Sequence, residues 1–313
     1  MLQRLISFAA LAALICPASA AEWLTDWDEA SRLAAEQGKA VLADFTGSDW
    51  CGGCIVLRRD VLDKPEFDAY AADKFVLLEV DLPHLPKITP EQKKRNEALC
   101  AKYKVQAFPT LLVLEPDGRV LGGSVGGTSN VKKVTNELDG ALANRERLAA
   151  AEALDGMARI RALYAIYNSL PKEVRAGSGL VERIVELDTQ GVTPLPAKVR
   201  AKRQMDEYHK RMKEVKTDLA AQLKLVDETL AVAMPANRRQ LLESRYQLLM
   251  WTADSEEDIV AAKETMLELI GTEGADTARR RAELEKHFAD PADVLRQLKE
   301  ASYKKTQQQP KGK

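Results

Sequence analysis

The sequence predicts two folded parts, an α/β domain with a mixed sheet over residues 21–143 and an all-α domain over residues 144–303. In the first part, short apolar runs of strand length alternate with segments of helical spacing. Such runs disappear after residue 143, where Ala, Leu, Glu, Arg and Lys dominate. A chain of 313 residues is also long enough for about two domains.

Apolar runs with the length of buried strands carry the prediction of a sheet. They cover residues 40–45 and 75–81 and the segment that follows Pro109. A short strand over residues 119–122 is expected to return antiparallel after the turn at residues 115–118. The sheet is therefore expected to be mixed.

Capping signals set the helices that alternate with these strands. Asp26 is the expected cap of the first helix, Thr89 and Gln92 form a capping box, and Thr128 or Ser129 is expected to cap the last one. The expected helices of this part cover residues 21–38, 55–62, 66–73, 90–104 and about 129–144.

The second part is predicted to be helical throughout. Its longest helix, over about residues 199–230, carries one apolar stripe and would be about 50 Å long. Residues 304–313 are predicted to be a polar, disordered tail. No catalytic constellation occurs here, so this part is expected to bind a partner, to form a homo-oligomer or to restrict access to the site.

Residues 1–20 are typical of a secretory signal. Arg4 precedes an apolar run over residues 5–16, and small residues over 17–20 form a cleavage site. The run is shorter than the roughly 20 residues that span a bilayer, which disfavours the rival interpretation as a membrane anchor. The chain is therefore expected to be exported, to a periplasm or as a secreted protein. Its formal charge of −1 gives no reason to expect a nucleic-acid partner.

Cys51 and Cys54 lie between the predicted strand at residues 40–45 and the helix that follows. Cys51 would occupy the first turn of that helix, where free backbone N–H groups favour a thiolate and lower the cysteine pKa. Cys54 falls one turn later, in position to resolve a mixed disulfide. This pair has three possible interpretations: redox catalysis, half of a metal site, or a structural disulfide.

A zinc site would need further ligands at suitable spacing. Cys100 is the other cysteine after residue 20, and the histidines at positions 84, 209 and 287 are scattered. No metal and no cofactor are therefore expected. Cys100 lies in a helical segment, where it is either a buried, inert thiol or a regulatory one.

The stretch Asp-Phe-Thr-Gly-Ser-Asp-Trp-Cys51, with Phe-Pro-Thr at residues 108–110 before a hairpin, resembles the thioredoxin fold. More narrowly, it is similar to exported thioredoxin-like proteins related to the C-terminal domain of the membrane disulfide reductase of the bacterial periplasm. The resemblance covers roughly residues 22–143. It implies that Cys51 attacks, that Cys54 is the buried resolving thiol, and that the two form a disulfide.

The resemblance also implies roles for neighbouring residues. Pro109 would be a cis-proline that packs over the sulfurs, and the backbone of Phe108 would pair with an extended substrate. Trp50 would flank the site as a lid. Thr110 would bind the substrate together with Trp50 and Phe108.

Asp44 occupies the strand position of the family's buried acid, although it lies seven residues before Cys51, one more than in thioredoxin. It is either a base for Cys54 with a raised pKa or a structural residue. Leu77 is expected where thioredoxin keeps a lysine near that acid. The Gly52-Gly53 pair leaves the direction of electron flow open.

The sequence thus favours an exported thiol-disulfide oxidoreductase that reduces protein or peptide disulfides and receives electrons from a redox partner, such as a membrane donor. An oxidase or isomerase is the alternative within the same chemistry, favoured if the helical part dimerises the chain. A scaffold protein that acts through the helical part is the alternative of another class.

Overall fold

A computed structural model describes residues 22–271 and 275–308. The predicted signal peptide lies outside these residues. The chain forms two compact units, one that ends at Thr193 and one that begins at Pro194.

A five-stranded sheet forms the centre of the first unit, in the order β1-β3-β2-β4-β5. The strands β1, β2 and β3 are parallel, whereas β4 is antiparallel to both β2 and β5. The prediction of a mixed sheet is therefore confirmed. The strands are β1 Trp23–Leu24, β2 Ala40–Thr46, β3 Phe75–Asp81, β4 Thr110–Leu114 and β5 Val120–Val125.

Helices connect these strands and continue after the last one. A single π-helical turn, Arg58–Leu62, follows α2 without a break. The helices of this unit are α1 Trp27–Gln37, α2 Gly52–Leu57, α3 Pro65–Ala71, α4 Pro90–Lys102, α5 Val131–Leu142, α6 Asn144–Glu152, α7 Gly156–Ser169, α8 Lys172–Arg175 and α9 Leu180–Leu187.

The start of the unit differs from the prediction of one helix over residues 21–38. Trp23–Leu24 is instead the edge strand β1, which pairs with β3 at Leu77 and Leu78. The helix begins only after Asp26, whose carboxylate accepts the first free backbone N–H groups, and it ends at Gly38 with a φ of 65°. Two apolar residues before a capping aspartate are more stable in the sheet than in a helix that the cap has not yet started.

Two further capping predictions have different outcomes. Thr89 and Gln92 form the expected capping box of α4, each bonding the backbone of the other. The cap of α5 is Asn130, whose side chain accepts the N–H of Lys133, so the prediction of Thr128 or Ser129 is wrong. Asn and Thr are both good caps, and only the backbone conformation decides between neighbouring candidates.

The strand β2 runs through the core, since all seven of its residues are buried. On one face of the sheet, Phe45 and its neighbours pack against α1 and Tyr103, and the half-buried Cys100 of α4 packs against the same cluster. The central strand is thereby held on both edges and on its faces. Its carboxyl end leads directly to the two cysteines.

Contacts with the sheet continue beyond residue 143. The amide of Asn144 donates to the backbone oxygen of Leu121 at 2.8 Å, and the guanidinium of Arg145 binds both carboxylate oxygens of Glu115 at 2.8 Å. Val174 of α8 joins the core of the sheet. The domain limit at residues 143/144 stays a prediction.

The second unit is helical over its described residues. It consists of α10 Leu195–Val215, α11 Leu219–Ala231, α12 Pro235–Thr252, α13 Glu256–Ile270, α14 Ala275–His287 and α15 Pro291–Gln308. The last helix extends into the segment that was predicted to be a disordered tail, and residues 309–313 lie outside the described residues.

The single long helix predicted over residues 199–230 is wrong. The helix α10 ends at Val215, and the next residue, Lys216, has a φ of 47°. Asp218 then caps α11 by accepting the N–H of Ala221. Tyr208 of α10 and Val226 of α11 then share one apolar cluster. The apolar stripe buries more surface when its two halves pack in one core than when it extends along one helix.

In the described part of the chain, residues 22–271 and 275–308, no helix has both the length and the apolar character needed to cross a membrane.

Candidate active site

The two cysteines lie where β2 gives way to α2. A turn closes after the strand, with the N–H of Cys51 bonded to the oxygen of Gly47 at 3.0 Å. Cys51 is the N-cap residue of α2, and its sulfur is joined to that of Cys54 at 2.16 Å. Both cysteines are buried, Cys51 at 8% exposure and Cys54 at 3%.

The sulfur of Cys51 lies at the open end of the helix backbone. The N–H of Cys54 donates to it at 3.2 Å, so the side chain of Cys51 acts as the helix cap. A negative charge on this sulfur would gain that hydrogen bond and the favourable end of the helix dipole. The arrangement therefore favours the thiolate of Cys51 over that of Cys54 once the disulfide is reduced.

The loop before β4 passes close to Gly53, the residue directly before Cys54. The peptide bond between Phe108 and Pro109 is cis, as expected. The oxygen of Pro109 accepts the N–H of Gly126 at 2.9 Å. The hydroxyl of Thr110 is buried and donates to the oxygen of Ala107 at 2.8 Å, so this side chain is occupied within the loop.

Two glycines allow the loop after β5 to approach the start of α2. A Cβ at Gly127 would lie 2.7 Å from the Cα of Gly53, and a Cβ at Gly53 would lie 3.3 Å from Cδ of Pro109. Gly53, the second of the two residues between the cysteines, therefore lies close to both neighbouring loops.

An aromatic wall, made of His84, Trp50 and Phe108, borders the cysteines. The ring of Trp50 stacks on His84 with centroids 5.0 Å apart and meets the edge of Phe108 at 5.7 Å. Its indole N–H donates to the oxygen of Leu82 at 2.8 Å, and 41% of the residue is exposed. Trp50 is thus fixed in position and still open to a ligand.

The loop between β3 and α4 is fastened to the residues just before Cys51. Ser48 donates through its N–H and hydroxyl to the carboxylate of Asp81, at 2.9 and 2.6 Å. The carboxylate of Asp49 accepts the N–H groups of His84 and Leu85, both at 2.9 Å. The hydrogen bond from His84, then that from Leu85, holds the pKa of Asp49 below its usual value.

Asp44 is a buried acid with an incomplete set of partners. Its Oδ2 accepts a hydrogen bond from Arg58 at 3.0 Å, whereas its buried Oδ1 has no hydrogen-bond partner among the residues that the structure describes. Burial raises the pKa of Asp44 to about 7; the positive charge of Arg58 opposes this shift, and the negative charge of Glu79 adds to it. The carboxyl group can therefore exchange a proton near neutral pH.

Arg58 lies between two carboxylates. One of its nitrogens contacts Asp44 at 3.0 Å and Glu79 at 2.5 Å, and its guanidinium lies 4.3 Å from the ring centre of Trp23. Arg58 is not among the site residues predicted from the sequence. Its position four residues after Cys54, on the same helical face, is the signal that could have found it.

The sheet register identifies the residue of β3 that lies beside Asp44. It is Glu79, whereas Leu77 lies opposite Leu42. Leu77 was therefore the wrong neighbour for the buried acid. The compensating cation comes from the helix, through Arg58, and the strand contributes a second carboxylate.

Cys100 forms no disulfide among the described residues. Burial, then the negative charge of Glu97, raises the pKa of its thiol to about 11. A thiol of this kind is a weak nucleophile at neutral pH because few molecules carry the thiolate. Within the described residues, no group of three or more His, Cys, Asp or Glu side chains is placed to hold a metal ion.

The fold and the cysteine pair correspond to a known protein class. A family described as thioredoxin-like matches residues 22–116. The disulfide bond reductase DsbH of Chlamydia pneumoniae is 34% identical over 114 residues, which make up 35% of this chain and 69% of that protein. The chain belongs to the thioredoxin-like family.

Other relatives cover smaller shares of their own length. The thioredoxin-related protein DsbJ of Chlamydia pneumoniae is 36% identical over 98 residues, 31% of this chain and 28% of that protein. A thioredoxin H-type protein of Fagopyrum esculentum is 29% identical over 90 residues, 29% of this chain and 64% of that protein. The family, the Dsb-named relatives and the cysteine pair support a thiol-disulfide oxidoreductase.

Solved structures with some similarity include a DsbH oxidoreductase, at 30% identity and a TM-score of 0.35, covering 44% of this chain and 95% of that one. The C-terminal domain of Neisseria meningitidis DsbD in its oxidised form has 22% identity and a TM-score of 0.30, over 38% of this chain and 99% of that one.

Proposed function

We propose that this chain is an exported reductase of protein or peptide disulfides. The observation that carries the proposal is the position of the Cys51 sulfur at the start of α2, where it accepts the N–H of Cys54. That hydrogen bond favours the thiolate that attacks a disulfide. The name of the relative DsbH, a disulfide bond reductase, supports the reducing direction.

In the proposed reaction, the thiolate of Cys51 attacks one sulfur of a substrate disulfide. A bond forms between Cys51 and that sulfur, and the other substrate sulfur leaves as a thiolate that takes up a proton. Cys54 then loses its proton and attacks the sulfur of Cys51. The intramolecular disulfide forms, the second substrate sulfur leaves, and two electrons have passed to the substrate.

The substrate is proposed to lie along the loop before β4. The backbone of Phe108 would pair with an extended peptide beside Pro109, and the exposed face of Trp50 would cover it. The hydroxyl of Thr110 bonds the oxygen of Ala107, so we propose that Thr110 supports the shape of this loop and does not itself bond the peptide. Asp44 is proposed as the base for Cys54.

Export is proposed from residues 1–20, and a periplasm is the proposed compartment. Such a compartment is kept oxidising, so a reductase there needs a redox partner that reduces the cysteine pair again. A membrane electron donor is the partner we propose. Expression in a bacterium and measurement of the intact mass of the periplasmic product test this: removal of residues 1–20 is expected, and a full-length cytoplasmic product contradicts export.

The reduction potential of the cysteine pair tests the direction of the reaction. The exported protein is equilibrated with glutathione and thioredoxin, and the fraction of disulfide is counted by alkylation and mass. A potential near about −250 mV or lower supports a reductase, whereas one near about −120 to −180 mV supports an oxidase or isomerase. If the pair exchanges with neither couple, the enzyme assignment fails.

Trapping of the mixed disulfide tests the order of attack. With a disulfide-bonded peptide, Cys54→Ser is expected to accumulate a covalent adduct at residue 51, and Cys51→Ser to accumulate much less of one. Equal adducts in the two variants would contradict the assignment of Cys51 as the attacking sulfur.

A further inference from the structure

Asp44, Arg58 and Glu79 form an ion cluster that joins the redox helix to two strands of the sheet. Arg58 belongs to the same continuous helical segment as Cys54 and lies four residues later, so both residues project from one face. The π-helical turn begins at Arg58, and its side chain reaches the buried carboxylate of β2. The cluster therefore links the resolving cysteine's helix to the central strand.

The hydrogen bonds of Asp44 leave one of its oxygens ready for a proton. Arg58 contacts only Oδ2, and within the described part of the chain the buried Oδ1 has no hydrogen-bond partner. A buried carboxylate oxygen without a donor is costly, and the cost falls when that oxygen carries or receives a proton. This is the arrangement expected of a group that alternates between two protonation states.

We propose that Arg58 is a positioning residue that acts through Asp44, keeping the buried carboxylate able to accept the proton that Cys54 releases when it attacks the mixed disulfide. The proposal rests on the proposed function. It goes beyond that function because Arg58 and Glu79 set how readily Asp44 ionises, and they do so in opposite directions.

The attack of Cys54 on the mixed disulfide conserves protons. Cys54 transfers its thiol proton to the Oδ1 of ionised Asp44, and its thiolate attacks the sulfur of Cys51. The substrate thiolate leaves and takes a proton from Asp44 or from water. Arg58 gains and loses no proton, so its contribution is the positive charge that stabilises the ionised form of Asp44.

Charged groups from each neighbouring segment act on Asp44. Arg58 favours its ionised form, whereas Glu79 and Asp81 on β3 and Asp63 after the π-helical turn disfavour it. From β4, the register partner is Leu111, which does not titrate. Arg58 is therefore the group that opposes the other charges.

Two substitutions should change the rate of the resolving step in opposite directions. In Arg58→Met, Asp44 stays protonated to higher pH, so the rate at pH 7 should fall about tenfold and recover toward pH 9. In Glu79→Gln, Asp44 ionises at lower pH, so the rate at pH 6 should rise severalfold. Arg58→Lys keeps the charge and should recover part of the loss.

The experiment uses the exported protein with Cys100→Ser in every variant. The reduced protein is mixed with excess oxidised glutathione, quenched with acid at intervals, and analysed by mass for the mixed disulfide and the internal disulfide. The rate at which the first converts to the second is measured from pH 5 to 9. Arg59→Met is the matched control, because the exposed Arg59 pairs with Asp60 alone among the acids described.

The inference holds if the pH profile of the rate shifts to higher pH in Arg58→Met and to lower pH in Glu79→Gln, while the profile of Arg59→Met matches that of the parent. Unchanged profiles in the two variants overturn it. A merely structural role of Arg58 would lower stability in urea without moving the two profiles apart. If the parent protein forms neither the mixed nor the internal disulfide, the proposed function itself has failed.

Discussion

Gly53 and Gly127 lie in backbone contact: a Cβ at Gly127 would be 2.7 Å from both the Cα and the oxygen of Gly53. Gly53 is the second of the two residues between the cysteines, and Gly127 follows β5. The loop after β5 therefore contacts the redox turn at a point where Gly127 has no room for a side chain and Gly53 has little.

Replacement of Gly127 by Ala should disturb that contact. We expect a loss of about 1–3 kcal/mol in the free energy of unfolding, because two backbones must move apart. Urea unfolding of the oxidised protein measures it. Gly52→Ala is the matched control, since a Cβ at Gly52 meets no atom of the described residues within 4 Å. Its free energy of unfolding should stay within about 0.5 kcal/mol of the parent's. Equal losses in the two variants would contradict the contact.

Asp44 should make stability depend on pH. Its pKa is raised from an ordinary 3.8 to about 7, so the folded state binds more protons than the unfolded state between these values. The stability it contributes is fully present below about pH 3.8 and is lost as the pH rises through about 7.

Asp44→Asn removes that dependence. At pH 8 the variant should be more stable than the parent by about 1–4 kcal/mol, and the difference should shrink as the pH falls toward 4. Urea midpoints at pH 5, 6.5 and 8 measure this. Asp60→Asn is the control, because Asp60 is partly exposed and its pKa lies below its usual value. A difference between Asp44→Asn and the parent that is the same at every pH would be evidence against a neutral, buried Asp44.

Asp49 should protect the loop that carries His84. Its carboxylate holds the N–H groups of His84 and Leu85, and Lys87 lies two residues farther on. In Asp49→Ala the loop loses both anchors, so trypsin should cleave after Lys87 at least severalfold faster than in the parent. Mass analysis of a timed digest measures the cleavage. Asp28→Ala should leave this cleavage rate unchanged, and an unchanged rate in Asp49→Ala would disprove the anchoring.

Cys100 should be slow to react in the folded protein. Burial, then Glu97, raises its pKa to about 11, which leaves about one molecule in ten thousand as the thiolate at pH 7. In the reduced, folded protein, iodoacetamide should label Cys51 first and Cys100 at least about tenfold more slowly. Unfolding in urea should abolish the difference. Fast labelling of Cys100 in the folded state would instead favour a regulatory thiol.

The break between α10 and α11 should be strained at Lys216, which has a φ of 47° and a ψ of −114°. Glycine adopts such a backbone without the Cβ penalty, so Lys216→Gly should raise stability by about 1 kcal/mol. Lys210→Gly, inside α10, should lower it by about 1 kcal/mol. Urea unfolding followed by helical circular dichroism compares them, and equal losses in both would show that the chain is helical through Lys216.

Much of the first unit could be predicted because its signals are local. The strands β2 and β3 are continuous apolar runs, and Thr89 with Gln92 forms a capping box within four residues. The disulfide between Cys51 and Cys54 and the cis bond at Pro109 were implied by the resemblance to the thioredoxin fold, which short motifs around these residues carry. Each of these features depends on side chains a few positions apart.

The features that were missed depend on distant partners. Trp23–Leu24 is too short to show a period, and it is a strand only because β3 offers an edge. Arg58 belongs to the site because it contacts Asp44 and Glu79, which lie 14 and 21 residues away in the sequence. The break at Lys216 carries neither glycine nor proline, so the gain from packing α10 with α11 decides it.

The contact between Trp23 and Arg58 has a practical consequence. The indole covers the guanidinium that binds Asp44 and Glu79, so the first strand of the sheet also shields the ions beside the redox helix. A recombinant fragment that starts at α1 would retain both cysteines but lack Trp23, so this cluster would be exposed to water. Redox measurements on such a fragment would report a more solvated Asp44 than the one in the native protein.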